Sequence, residues 1–185
     1  MKQQKRLSIK SISEIAIFTA VISILSQISI QLPTGVPATL QTLAIALAGF
    51  VLGSKYAAAS TALYILIGTL GVPVFAGFSG GPSSLFGPTG GFLWGFIIMA
   101  YFCGIGIHST NKIVANAIAV IGLLICHLLG AIQFSFVANT SFIASITAVS
   151  LPFILKDIAS VIISYVLALQ IRKALFSANL MEKDA

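Results

Sequence analysis

Six apolar runs, separated by short polar or glycine-rich breaks, dominate the sequence. Only 8% of the 185 residues are charged, whereas a soluble domain carries about 25%. So few charges cannot cover a water-exposed surface, which excludes a soluble enzyme, a disordered chain and a disulfide-stapled secreted domain. We therefore predict an all-α integral membrane protein in which residues 1–185 form a single membrane domain.

Six transmembrane helices are predicted from these runs. They cover roughly residues 12–32, 40–52, 57–72, 92–107, 113–138 and 153–173. A spanning helix needs about 20 residues at a rise of about 1.5 Å per residue, and the second, third and fourth runs are shorter than that. Short segments interrupted by glycine or proline are tolerated in a membrane only where they are buried in protein or line a cavity. Their presence therefore points to a binding site.

The basic residues predict the orientation of the chain. With six spans and a cytoplasmic N-terminus, nine of the ten Lys and Arg residues fall on the inner side, and Lys156 alone falls outside. Because Lys and Arg concentrate in cytoplasmic loops, both termini are predicted to be cytoplasmic. The net charge of +6 does not indicate nucleic-acid binding, since no basic face carries interleaved aromatic residues.

Residues 73–91 form a glycine- and proline-rich outer loop that contains no charge. It lacks the Gly-Lys-Ser/Thr ending of a phosphate-binding loop. A plain exposed loop is one alternative, but such a loop would be polar, and this one carries several bulky apolar side chains. Glycine lets the backbone approach a ligand closely, so we predict a cap over a ligand cavity. The candidate ligand contacts in or beside this loop are Phe75, Ser79, Gly80, Phe86, Thr89, Gly91 and Trp94.

Lys156 and Asp157 open the sixth predicted helix at its outer end. A charge at membrane depth is costly and usually faces a cavity, which makes both residues candidates for ligand binding. As alternatives, Asp157 caps the helix and Lys156 extends to the lipid headgroups. Gln41, at the mouth of the short second helix, is a further candidate ligand contact.

Two small residues, Ala16 and Ala20, lie four positions apart near the inner end of the first helix. This spacing allows another helix to approach closely, although in an alanine-rich chain it also occurs by chance. His127 is a lone histidine in the fifth run, and we expect it to be hydrogen-bonded between helices with no assigned function.

Several segments together resemble the BioY family, the biotin-specific S components of energy-coupling-factor (ECF) transporters. The resemblance covers nearly the whole chain, from about residue 12 to 170. It is carried by residues 71–78, residues 87–96, residues 35–44, the pair Ala16 and Ala20, and the Leu-Pro-Phe at 151–153 that precedes Asp157.

The resemblance implies a six-helix, multi-pass protein of a bacterial-type cell membrane that binds biotin near its outer face. It also implies partners, namely a transmembrane T component, which docks on Ala16 and Ala20, and two cytoplasmic ATP-binding subunits. Neither a cofactor nor a metal is implied. The chain departs from the family where Gly-Asp-x-x-Lys is common, since Lys156 precedes Asp157 and Ser160 follows it by three. It also has Phe92 where the family usually has Tyr.

A self-sufficient transporter and an intramembrane enzyme are the two alternatives to a binding subunit. A self-sufficient small-molecule transporter usually shows internal repeats or ionisable relays across the bilayer, and the sequence has neither. An intramembrane enzyme would need a nucleophile with its base or paired acids at depth, and the sequence offers only Asp157 and two scattered histidines.

Overall fold

The computed structural model describes residues 8–30, 36–178 and 180, and these are mostly helical. A two-stranded antiparallel sheet joins β1 (Ser29–Ile30) to β2 (Ala38–Thr39). The helices are α1 (Ile9–Ser26), α2 (Gln41–Leu52), α3 (Ser54–Thr69), α4 (Pro82–Phe86), α5 (Gly90–Gly106), α6 (Lys112–Val137), α7 (Phe142–Val149) and α8 (Leu151–Ser177).

Three helices of the described chain, α1, α6 and α8, are long and apolar enough to cross a membrane. Two more apolar helices, α2 and α5, are shorter. Together with the low charge of the sequence, these helices identify a multi-pass membrane protein.

The first helix ends earlier than predicted. It stops at Ser26, not at residue 32, because the chain then extends into β1, in which Ser29 pairs with Thr39 and Ile30 with Ala38. The last helix is longer than predicted at both ends and covers Leu151–Ser177. Pro152 fits its first turn because proline removes only a backbone N–H that has no helical partner there.

Residues 73–91 are more ordered than a simple loop. They contain a 3-10 turn at Ala76–Phe78 and the helix α4, and their last two residues already begin α5. The turn reverses the chain at Gly77, whose φ of 67° suits glycine, so that Phe75 and Ser79 form a β-bridge. We call residues 71–89 the cap.

The short helix α2 is the centre of the bundle. It contacts α1, α3, α5 and α8, and ten of its twelve residues are buried. Close approach to α5 requires a glycine, since a Cβ at Gly49 would lie 2.7 Å from the carbonyl oxygen of Ala100. Because α2 is enclosed by protein, its backbone needs no lipid-spanning length, and its first residue stands at the cavity described next.

Candidate ligand-binding site

A cavity of about 240 Å³ lies beneath the cap, at the N-terminal ends of α2 and α8. Small-molecule sites usually measure about 300–1,000 Å³, so the space suits a compact ligand. One wall is apolar and is formed mainly by aromatic side chains of the cap, α5 and α8, namely Phe75, Phe92, Phe96 and Phe153. The polar groups are Thr39, Gln41, Thr42, Ser79, Ser84, Thr89, His127, Lys156 and Asp157.

Asp157 is a buried carboxylate in the cavity wall and is 6% exposed. It is the seventh residue of α8, and the first turn of that helix contains no acid. Since N-terminal capping acts within the first turn, the capping alternative for Asp157 is wrong. A buried carboxylate needs partners, and the protein supplies them from three helices.

Lys156 pairs with its neighbour in sequence. Its Nζ forms an ion pair with Oδ1 of Asp157 and donates a hydrogen bond of 3.0 Å to the carbonyl oxygen of Thr39. The long side chain bridges the angle of about 100° that separates adjacent helical residues. The alternative that Lys156 extends freely to the headgroups is therefore wrong, although 37% of its side chain stays exposed at the mouth of the cavity.

His127 and Thr42 complete the surroundings of the carboxylate. Nε2 of His127, on α6, lies 3.3 Å from Oδ2 of Asp157, and the Thr42 side chain on α2 also interacts with this carboxylate. The imidazole is 7% exposed and meets the ring of Phe92 edge-on, with 5.8 Å between ring centroids. The expected interhelical contact of His127 is present. The sequence does not indicate this site role, because thirty positions separate His127 from Asp157.

Gln41 lines the cavity, but both ends of its amide are bound by the protein. Nε2 donates to the phenolic oxygen of Tyr64 at 2.6 Å, and Oε1 accepts from Oγ1 of Thr39 at 3.1 Å. Ser26 donates to the same phenolic oxygen at 3.0 Å. The Tyr64 ring packs edge-on against Phe75, with 5.3 Å between centroids. Gln41 thus connects the cavity wall to α1, α3 and the cap.

Two glutamines outside the cavity lining hold the cap in place. On the α1 side, Gln27 donates to the carbonyl oxygen of Val74 at 2.9 Å and accepts from the Phe78 backbone N–H at 3.0 Å. On α6, Gln133 donates to the carbonyl oxygens of Leu85 and Gly87 at 2.9 and 2.8 Å. The cap is therefore attached to the bundle at both of its halves.

Six of the ten predicted ligand contacts line the cavity: Asp157, Lys156, Gln41, Phe75, Ser79 and Thr89. The other four do not, contrary to the prediction. Phe86 and Trp94 are 71% and 46% exposed. Trp94 lies on the face of α5 opposite to Phe92, Leu93 and Phe96, which line the cavity. Gly80 and Gly91 pack closely against other backbone segments, those of Val72 and Leu129.

Ala16 and Ala20 are both exposed on one face of α1. The opposite face packs on the bundle, where Thr19 hydrogen-bonds the carbonyl oxygen of Ser60 at 3.1 Å and Ile22 is fully buried. The small-residue pair is therefore free to meet another helix, as far as the described residues define its surroundings.

The chain is similar to several named transporters. The probable biotin transporter BioY of Pyrococcus horikoshii is 38% identical over 161 residues, which are 86% of this chain and 94% of that protein. The biotin transporter BioY of Thermotoga maritima is 37% identical over 160 residues, 85% of this chain and 92% of that one. BioY2 of Lactococcus lactis is 34% identical over 172 residues, 91% and 93% of the two chains.

A solved structure has the same architecture. The crystal structure of the S-component for biotin from an ECF-type ABC transporter superposes with a TM-score of 0.81 and 29% identity, covering 94% of this chain and 95% of that one. The model of the BioY family matches residues 1–177. The family match over nearly the whole chain, the identities to the named relatives and the shared fold all indicate the same family. The chain belongs to the BioY family.

Proposed function

We propose that this protein is the biotin-binding S component of an energy-coupling-factor transporter, and that it captures biotin from the outer side of the cell membrane. Support comes from the relatives, which are named biotin transporters, and from the biotin S-component with the same fold. The observation that carries the proposal is the buried carboxylate of Asp157 in a small, aromatic-walled cavity beneath the cap.

The cavity offers complementary groups for each part of biotin. The bicycle of biotin carries two ureido N–H donors, and a carboxylate has about four acceptor sites. Three protein partners, His127, Lys156 and Thr42, leave Asp157 about one acceptor site, which can take one ureido N–H of the ligand. A hydrogen bond to a charged group contributes about 1.5–3 kcal/mol. The apolar ring of biotin fits against Phe75 and the neighbouring aromatic wall.

In this proposal the carboxylate of biotin lies at the mouth of the cavity. Lys156 is the cation there, and its partly exposed ammonium still has donor capacity beyond Asp157 and the Thr39 carbonyl. Ser84 and Thr89 of the cap line the same cavity and supply neutral donors. Ser79 also lines it, but its hydroxyl donates to the carbonyl oxygen of Ala76 at 2.9 Å.

Six helices, α1, α2, α3, α5, α6 and α8, cross the membrane in the proposed topology, with both termini in the cytoplasm. The packing supports it, because Nη1 of Arg172 near the end of α8 donates to the Val51 carbonyl near the end of α2, at 2.9 Å. This places Arg172 beside the α2–α3 turn that carries Lys55. Lys156 and the cavity lie at the opposite end of α8, so the inner side concentrates the basic residues.

The energy for uptake is supplied by partners in this proposal. A transmembrane T component docks on the α1 face around Ala16 and Ala20, whose small side chains permit close helix contact. Two ATP-binding subunits drive the cycle, and the sequence itself carries no Gly-Lys-Ser/Thr phosphate-binding motif.

The proposal is tested with the detergent-solubilised full-length chain. We expect calorimetric titration to give saturable, one-site binding of biotin in the absence of ATP and of any ion gradient, and no comparable binding of thiamine or riboflavin. Mass spectrometry of the recovered ligand should return unchanged biotin. Absence of biotin binding by a folded protein, or conversion of biotin to a product, would contradict the proposal.

A further inference from the structure

The side chain of His127 is the one partner of Asp157 that comes from α6, and its two nitrogens are in different environments. Nε2 faces Oδ2 of Asp157 at 3.3 Å. Nδ1 is buried and has no hydrogen-bond partner among the residues that the structure describes. A buried polar group without a hydrogen-bond partner costs stability. An apolar side chain would fill the same space without that cost, so the contact of the imidazole with the carboxylate calls for an explanation beyond packing.

Each oxygen of the Asp157 carboxylate has its own basic partner. Oδ1 is held by Lys156 from the same helix, and Oδ2 is held by His127 from the facing helix. The terminal torsion of an aspartate is broad, so a single partner at Oδ1 would let the plane of the carboxylate rotate. A second contact at Oδ2, from a different helix, fixes that plane relative to the cavity.

His127 contacts neighbouring elements through its ring and through its backbone. Its ring meets Phe92 of α5 edge-on, and the carbonyl oxygen of His127 accepts a hydrogen bond of 3.3 Å from Oγ of Ser150, the residue before α8. The backbone contact ties α6 to the start of α8 without using the side chain. Substitution of the imidazole therefore leaves this helix-to-helix bond in place.

We propose that His127 is a positioning residue for ligand binding: its Nε2–H orients the Asp157 carboxylate so that the remaining acceptor site faces an N–H donor of the ligand. This inference rests on the proposed function, since it concerns the same site. In this inference His127 acts on the ligand through Asp157. The role depends on a hydrogen-bond donor at the position of Nε2.

Three substitutions of His127 separate positioning from packing. His127→Leu keeps volume without a donor, and we expect it to weaken biotin binding about tenfold or more in calorimetric titration of the full-length chain. In His127→Gln the amide nitrogen reaches about as far as Nε2, so binding should stay within a few-fold of the parent. His127→Asn reaches only as far as Nδ1 and should bind as weakly as the Leu variant. Equal affinities for the Gln and Asn variants would overturn the proposal.

A double-mutant cycle tests whether the effect passes through Asp157. In the Asp157→Asn background, His127→Leu should cost less than threefold, because the carboxylate that it orients is gone. Independent, additive losses would show that His127 acts on packing and would overturn the inference. If His127→Leu lacks a cooperative thermal transition, the same cycle is run with His127→Asn, with the Gln variant as its folded reference.

The outcomes also separate this inference from the proposed function. A parent protein that fails to bind biotin contradicts the function. A parent that binds biotin and loses affinity on Asp157→Asn, but keeps it in both the Leu and the Asn variants of His127, leaves the function intact and contradicts only the positioning role.

Discussion

Gln41 and Tyr64 are joined by a hydrogen bond of 2.6 Å from the amide Nε2 to the phenolic oxygen, in the interior of the bundle. The bond links the first residue of α2, at the cavity, to a fully buried ring of α3 that packs on Phe75 of the cap. This buried polar contact therefore couples the wall of the cavity to the packing of the cap.

Removal of that contact is expected to destabilise the protein. Tyr64→Phe leaves the Gln41 amide donor without its partner, whereas Ser26 keeps its hydrogen bond of 2.6 Å to the Ile22 carbonyl oxygen. An unsatisfied buried donor costs about 1–3 kcal/mol. Thermal unfolding in detergent should show a lower midpoint, and biotin affinity should fall with it. Tyr101→Phe, at an exposed position on α5, is the matched control and should leave both values unchanged. An unaltered midpoint for Tyr64→Phe would argue against a structural role for the contact.

Attachment of the cap by Gln133 should control how long the ligand stays bound. Gln133→Leu removes the donor to the carbonyl oxygens of Leu85 and Gly87, which frees one half of the cap. We expect the dissociation rate of biotin to rise by about tenfold while the association rate changes little, since most interface changes act on dissociation. Stopped-flow displacement measures both rates, and Asn116→Leu, at the other end of α6, serves as the control. Equal dissociation rates for the two variants would rule out the role of Gln133.

Close packing of α5 against α6 at Gly95 makes that position intolerant of a side chain. A Cβ there would lie 2.6 Å from Cα of Cys126, which is backbone and cannot rotate away. Since Cys126 precedes His127, Gly95→Ala should shift α6 and reduce both the thermal midpoint and biotin affinity, with a cost of about 1–3 kcal/mol. Ala100→Gly, on the same helix, removes atoms and creates no overlap, so it is the variant with which Gly95→Ala is compared. A fully stable, tightly binding Gly95→Ala protein would contradict the packing described for these helices.

The proposed topology predicts opposite accessibility for two exposed positions. Ser83 lies in the cap and Thr110 in the connection between α5 and α6. Single cysteines at these positions should react with a membrane-impermeant maleimide from opposite sides, with Ser83→Cys labelled in intact cells. The native cysteines, Cys103 and Cys126, are buried and provide a low background. Labelling of both positions in intact cells would be incompatible with six spans.

Docking on α1 is expected to be independent of ligand binding. Ala16→Trp places a large ring on the exposed face of α1 and should separate the protein from its T component in size-exclusion chromatography, because it blocks close backbone approach. Biotin affinity should stay at the parent value. Ile121→Trp, at an exposed position on α6, should leave the complex intact. A stable complex that contains the Ala16→Trp protein would place the docking surface elsewhere.

The sequence was sufficient to predict the approximate positions of the long helices, because an apolar run of membrane length forms few structures other than a transmembrane helix. It was not sufficient for the end of α1, since two-residue strands such as Ser29–Ile30 are too short to show an alternating pattern. Its glycines and aromatics led to the prediction of a cap in residues 73–91, but the short helix α4 within it carries no periodicity over five residues.

The site was predictable where a residue is unusual in its own surroundings. Lys156 and Asp157 are charges inside an apolar run, and both line the cavity. The prediction for Trp94 is wrong because the sequence does not define which face of α5 turns toward the cavity. Leu93, not Trp94, lies on that face. His127 was missed as a site residue because its partner is thirty positions away, and only the packing of α6 on α8 brings the two together.

The central claim, that the Asp157 carboxylate binds the ligand, is tested most directly by titrating Asp157→Asn with biotin in a calorimeter. The substitution keeps the shape but replaces one acceptor oxygen by a donor group that faces the donors of the ligand. We predict a loss of about 1.5–3 kcal/mol, or roughly 10- to 150-fold in affinity, while Glu14→Gln, on α1 outside the cavity lining, binds like the parent. An Asp157→Asn protein that binds biotin within about twofold of the parent would contradict the account.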